Sequence, residues 1–160
     1  MKPVRGRSNL AGEKANPRHQ PVHPALPAVL LVDDDPLVLM ITKTILEKLG
    51  FDPITAPLGE RAIAHLEAGM APEVIIMDLN MPGLGGAATL PRLRTLRPCT
   101  PVILTTAWID DHTRELVETY PHVTLLPKPF SMGVLQAHLA QIGLGESPLH
   151  GNIRPCVMSI

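Results

Sequence analysis

Residues 28–36 read AVLLVDDDP: a five-residue apolar run that stops against three aspartates and a proline. The run is far too short to span a bilayer. Its length and branched aliphatic content are those of a strand buried on both faces. Four more runs of this kind follow, FDPITA (51–56), EVIIMD (73–78), PVILT (101–105) and VTLLP (123–127). Between them lie amphipathic stretches: PLVLMITKTILEKLG, LGERAIAHLEAG, a third around Thr89 to Arg97, DDHTRELVET, and FSMGVLQAHLAQIG. Five strands alternating with five helices predict an α/β fold, a doubly wound five-stranded parallel sheet with right-handed crossovers. Asp35 followed by Pro36 predicts a helix cap with proline at the first helical position, and Gly50 closes the same helix. Pro91 removes a hydrogen bond from the third helix, which predicts a late start with Thr89 as cap, or a kink.

Composition fits one domain. A chain of 160 residues is 45% hydrophobic but only 2% aromatic, so its core is aliphatic. Two domains of half that length would each have little core. The formal net charge of −1 hides an asymmetry, because residues 1–27 hold Lys2, Arg5, Arg7, Lys14 and Arg18 against Glu13 alone. With five prolines and no periodic apolar pattern, residues 1–27 read as a disordered, weakly basic arm. Residues 28–143 read as the folded domain and 144–160 as a C-terminal tail. Cys99 and Cys156 stand far apart in a chain with no export signal, so neither a disulfide framework nor a metal knuckle is indicated, and a cytoplasmic location fits. No membrane segment is visible.

Ligands of an open parallel sheet bind beyond the carboxyl ends of its strands. There the first strand delivers Asp33, Asp34 and Asp35, the third Asp78, the fourth Thr105 and Thr106, and the fifth leads to Lys128. Carboxylates on neighbouring strand ends repel one another unless a cation sits between them, and hard oxygen ligands with room for water suit Mg²⁺. A lysine and a hydroxyl facing the same point complete a cradle for a phosphoryl group. The carboxylate nearest that cradle can act as nucleophile and become an aspartyl phosphate.

The motifs VLLVDDDP, VIIMDLNMPG, VILTTA and LLPKPF, in that order over residues 28 to about 143, resemble the receiver domain of bacterial response regulators, in the stand-alone, chemotaxis-regulator-like form. The spacings fit as well, 44 residues from Asp34 to Asp78 and 22 from Thr106 to Lys128. The resemblance implies a flavodoxin-like (βα)5 fold with strand order 2-1-3-4-5. It implies that Asp34 binds Mg²⁺ directly and Asp33 through water or by orienting the site. Asp78 is then phosphoacceptor and metal ligand, and the backbone carbonyl of Asn80 a further ligand. Thr106 hydrogen-bonds a phosphoryl oxygen, Lys128 pairs with the phosphoryl group, and the Lys128–Pro129 bond is cis. The implied donor is a phosphohistidine on a sensor histidine kinase or a histidine phosphotransfer protein, and the implied output is contact with a downstream protein. Such a domain catalyses only its own phosphoryl transfer and dephosphorylation.

Two positions depart from the family pattern. Leu125 stands where many receivers carry an aromatic residue in the fifth strand, and it lacks a polar tip to move between wet and buried positions. Trp108, two residues beyond Thr106, is expected to overhang the pocket, where it either hinders hydrolysis of the acyl phosphate or forms part of a partner-docking surface. On the first of these, self-dephosphorylation is expected to be slower in wild type than in Trp108→Glu. An acyl-phosphate lifetime in the variant equal to or longer than that of wild type would contradict this.

Three other readings compete with this one. A haloacid dehalogenase type phosphatase needs a further acidic pair after the lysine, and beyond Lys128 only Glu146 is acidic. A phosphorylation-independent interaction module on the same fold is the alternative that Leu125 keeps open. Nucleic-acid binding through the basic arm predicts salt-dependent affinity that disappears on deleting residues 1–27. His65, His112 and His138 lack a second ligand at metal spacing and read as surface or partly buried histidines, while Met77, Met81 and Met132 read as aliphatic packing. With some fifteen residues after the last helix, no second output module is expected.

Overall fold

Branched aliphatic residues form a sheet because both faces of each strand can be buried, and the computed structural model, which describes residues 25–145, shows five such strands. They are β1 (Ala28–Val32), β2 (Asp52–Ala56), β3 (Val74–Asp78), β4 (Val102–Thr106) and β5 (Val123–Pro127). Five helices alternate with them: α1 (Pro36–Lys48), α2 (Gly59–Glu67), α3 (Gly85–Leu96), α4 (Asp111–Thr119) and α5 (Met132–Gln141). All pairings are parallel and the strand order is β2-β1-β3-β4-β5. The expected doubly wound flavodoxin-like sheet is therefore observed. The arm and tail fall largely outside the described residues.

Alternation along each strand sends successive side chains to opposite faces. Leu30, Val32, Ile75, Met77, Val102 and Leu104 join α2, α3 and α4 in one core, through Ala62, Ile63, Leu66, Leu90, Leu93 and Leu116. Val29, Leu31, Val74, Ile76, Ile103 and Leu126 join α1 and α5 in the other, through Leu46, Leu135 and Leu139. β3 and β4, at the centre, are buried along their whole length, whereas the edge strands β2 and β5 are partly exposed. From β1 the chain passes to β2 on one side and then to β3 on the other, so the strand order reverses between β1 and β3. A crevice at their carboxyl ends is the expected ligand position.

Asp35 caps α1, its Oδ1 accepting from the Leu37 and Val38 N–H groups at 2.8 and 3.4 Å. The third helix starts at Gly85 with Pro91 inside it, which excludes the first of the two expected alternatives, a late start at Thr89. The Leu84 N–H at its entry is held by the Glu60 carboxylate of α2 at 3.1 Å, a cap supplied from another element. Thr89 is buried and donates its hydroxyl to Gly85 O at 2.6 Å. Pro91 lies on the exposed side, where water can satisfy the carbonyl it leaves unpaired. Met77 and Met81 are core residues as expected, but Met132 is 45% exposed, because it opens α5 on the side away from the sheet. Cys99, in the connection between α3 and β4, is disulfide-bonded, which corrects the reading that no disulfide is indicated. The other cysteine, Cys156, lies outside the described residues.

Candidate functional site

The carboxyl ends of β1, β3, β4 and β5 bring the expected polar residues to one rim. The register sets Val32 beside Met77, Asp78 beside Thr105, and Thr106 beside Pro127. Asp33 and Asp34 therefore leave β1 next to Asp78, and Lys128 leaves β5 next to Thr106. Backbone hydrogen bonds carry the alignment past the strands, from Leu79 N–H to Thr105 O (3.0 Å) and from Lys128 N–H to Thr106 O (2.8 Å). The Lys128–Pro129 peptide is cis, as the resemblance implied.

Gly86 permits the tight turn from β3 into α3. A Cβ at this position would lie 2.4 Å from the Asp78 carbonyl oxygen and 2.6 Å from Leu79 Cα, and neither backbone atom can give way cheaply. Nothing in the strand and helix patterns marks this glycine, because the close approach exists only after the two elements pack.

Asp33, Asp34 and Asp78 each offer a carboxylate oxygen within 4.8 Å of the others. Asp33 and Asp78 are buried and Asp34 is exposed, so the cluster has a protein side and a solvent side. The Lys128 ammonium reaches across it, 2.7 Å from Asp33 Oδ2 and 3.3 Å from Asp78 Oδ1. Asp33 Oδ1 also accepts the Asp35 N–H at 3.0 Å. Burial pushes the Asp78 carboxyl above the usual carboxylate range, and the neighbouring Asp33 charge adds to this; Lys128 and the Asn80 backbone N–H act in the opposite direction.

One ammonium against three carboxylates leaves a formal excess of two negative charges. Two unit charges 4 Å apart repel by about 4 kcal/mol at an effective dielectric of about 20, so the cluster favours a cation more strongly charged than lysine. Oxygen-only ligands at a partly solvated rim fit Mg²⁺, which takes a few carboxylates and retains water. Asp33, Asp34 and Asp78 are thus brought together as a carboxylate set that could hold such an ion, and Asn80 follows on the loop beyond β3.

Thr106 is 1% exposed, and its hydroxyl is fully engaged. It donates to Trp108 O (2.8 Å) and accepts from Trp108 N–H (3.2 Å) and from the Asn80 side-chain amide (3.2 Å). The roles assigned from sequence to Thr106 and to the Asn80 carbonyl did not include this network. Trp108 projects outward, 78% exposed, and lines a cavity of about 430 Å³ beside Thr106 together with Leu79, Asn80, Ala87 and His112. Leu125 is partly buried against the core on the α2–α3–α4 face. His65 and His138 are partly buried and His112 is exposed, and none belongs to the carboxylate cluster. No helix among the described residues is long and apolar enough to cross a membrane.

Comparison with known proteins gives a consistent result. The family described as the response regulator receiver domain matches residues 29–140. The transcriptional regulatory protein CpxR of Klebsiella pneumoniae is 35% identical over 114 residues, which cover 71% of this chain and 48% of CpxR. The regulatory protein AtoC of Escherichia coli is 36% identical over 89 residues, covering 56% of this chain and 19% of AtoC. The chain thus spans about half the length, or less, of these curated relatives. Among solved structures, chemotaxis protein CheY4 of Vibrio cholerae superposes with a TM-score of 0.69 at 26% identity, covering 74% of this chain and 99% of CheY4. The receiver domain of the sensor histidine kinase PA1611 of Pseudomonas aeruginosa, whose structure has a magnesium ion coordinated in the active site cleft, gives 0.67 at 28% identity, with coverage of 74% and 99%.

Proposed function

The chain belongs to the response regulator receiver domain family, and from that premise we propose that Asp78 accepts a phosphoryl group from a phosphohistidine on a histidine kinase or a histidine phosphotransfer protein. The observation that carries this reading is the cluster itself, three carboxylates within 4.8 Å of one another bridged by one lysine at the carboxyl ends of the strands.

In the proposed reaction an Asp78 carboxylate oxygen attacks phosphorus. The new O–P bond forms as the P–N bond to the donor imidazole breaks, and the imidazole nitrogen keeps the electron pair. Lys128, 3.3 Å from Asp78 Oδ1, holds positive charge where the phosphoryl oxygens arrive and so stabilises charge that develops during transfer. Thr106, at the end of β4, would donate its hydroxyl to one of those oxygens after releasing Trp108 O. Asp33, Asp34, Asp78 and the Asn80 carbonyl would hold Mg²⁺. When bound, the ion supplies further positive charge to the phosphoryl group. Output runs through protein contacts on the face built by α4, β5 and α5. We also place the folded receiver unit at residues 28–143 and, on membership of the receiver family and not on its cysteines, the protein in the cytoplasm.

Intact-protein mass spectrometry after incubation with acetyl phosphate tests the chemistry of this reading. One phosphoryl group per chain is expected, released by hydroxylamine as an acyl phosphate is, and absent when EDTA is present throughout. Uptake insensitive to EDTA, or a hydroxylamine-stable adduct, would contradict it. A chain that folds but takes no phosphoryl group favours the phosphorylation-independent interaction module.

A further inference from the structure

The Thr106 hydroxyl has one proton to donate and two lone pairs to accept with, and in this structure all three are used. The proton goes to Trp108 O at 2.8 Å, and the lone pairs take the Trp108 N–H and the Asn80 side-chain amide, each at 3.2 Å. Among the described residues no hydrogen bond joins this hydroxyl to Asp78 or Lys128. Because its proton is committed to Trp108, only the nitrogen end of the Asn80 amide fits against it. Donating to a phosphoryl oxygen on Asp78 requires the hydroxyl to leave Trp108 O by turning about its Cβ–Oγ bond, and the lone pair that takes the Asn80 amide turns out of line with it, so the Asn80 hydrogen bond weakens.

Asn80 lies two residues beyond the acceptor Asp78 along the chain, and its side-chain amide meets the Thr106 hydroxyl at 3.2 Å. A single residue thus links the loop that follows Asp78 to Thr106. We propose that the Asn80 carboxamide is a positioning residue that latches the Thr106 hydroxyl toward Trp108 in the resting state and thereby slows phosphoryl uptake by Asp78. The proposal rests on the phosphoacceptor reading of Asp78 and adds to it a role for a side chain that the metal-ligand assignment, which uses only the Asn80 main chain, leaves idle. Opening the latch is a two-state equilibrium biased by one hydrogen bond.

A double-mutant cycle on the full chain tests it, with Asn80→Ala, Thr106→Val and the double variant compared with wild type. The readout is the initial rate of phosphoryl uptake from acetyl phosphate with Mg²⁺. Asn80 is exposed, so truncating it leaves the core intact, and alanine retains the backbone carbonyl. Asn80→Ala is expected to raise the rate about two- to tenfold, the worth of one net hydrogen bond. In the Thr106→Val background, where no hydroxyl is left to hold, the same substitution is expected to leave the rate unchanged. The NMR signals of the Thr106 methyl and the Trp108 backbone amide in the unphosphorylated protein are expected to shift on Asn80→Ala, a change that loss of a merely structural contact elsewhere does not produce. An equal effect of Asn80→Ala in both backgrounds, or no effect with Thr106 present, overturns the latch while leaving the phosphoacceptor reading intact. A wild type that takes up no phosphoryl group fails that underlying reading, and an unshifted Thr106 methyl overturns the latch even then.

Discussion

Asp78 works against its surroundings: burial disfavours its charged form, and Lys128 and the Asn80 N–H offset only part of that cost. His138 provides a measurable counterpart at the same scale. It is partly buried on α5, with Nε2 2.8 Å from the Thr124 hydroxyl of β5, and desolvation holds its pKa below the ordinary 6.5. The folded state therefore binds this proton less readily than the unfolded state does. Its contribution to stability is present above the unfolded value and is lost as pH falls from 6.5 toward the depressed folded value. Unfolding midpoints measured from about pH 7.5 down to about pH 5.5 are expected to fall, and His138→Gln to flatten part of that decline; an unchanged pH slope in the variant would contradict the assignment. Asp33, Asp34, Asp78, Thr106 and Lys128 were legible as candidate site residues because each is polar and lies at or just beyond the end of an apolar run, and strand ends can be read from sequence. The engaged state of the Thr106 hydroxyl was not, because it depends on how the loop beyond β4 folds back to present the Trp108 main chain.

At the scale of elements, the strands and four of the helices lie within a residue or two of their apolar patterns, because burial on a sheet enforces those patterns. The start of α3 lies at Gly85, four residues before Thr89, the cap in one of the two expected alternatives. Its entry is held by Glu60 from α2, a partner distant in sequence, and Pro91 is tolerated on the exposed side. The α2–α3 contact depends on Gly59, where an added Cβ would lie 2.0 Å from Thr89 Oγ1 and 3.1 Å from its Cγ2. Both γ positions are blocked, so rotation of Thr89 gives no relief. Alanine in place of glycine inside a helix gains about 1 kcal/mol in propensity, but overpacking a filled site costs about 1–3 kcal/mol, and with both γ atoms in the way the clash wins. Chemical denaturation of Gly59→Ala is expected to show a net loss of stability, partly recovered in Gly59→Ala/Thr89→Ala. A variant as stable as wild type would show that the two helices can separate freely here.

At the scale of the whole molecule, the fold delivers its chemistry through topology. Reversal of strand order between β1 and β3 opens a crevice between Asp33–Asp34 and Asp78. β4 and β5, added on one side, bring Thr106 and Lys128 to the same rim. Two aliphatic layers pack the sheet that carries these ends, one against α1 and α5 and the other against α2, α3 and α4. The central claim, that this rim exists to phosphorylate one carboxylate, is tested most directly by radiolabelled phosphoryl incorporation from acetyl phosphate with Mg²⁺, comparing wild type with Asp78→Asn. The account predicts label on wild type and none on the variant; no label on wild type, or equal label on both, would contradict it.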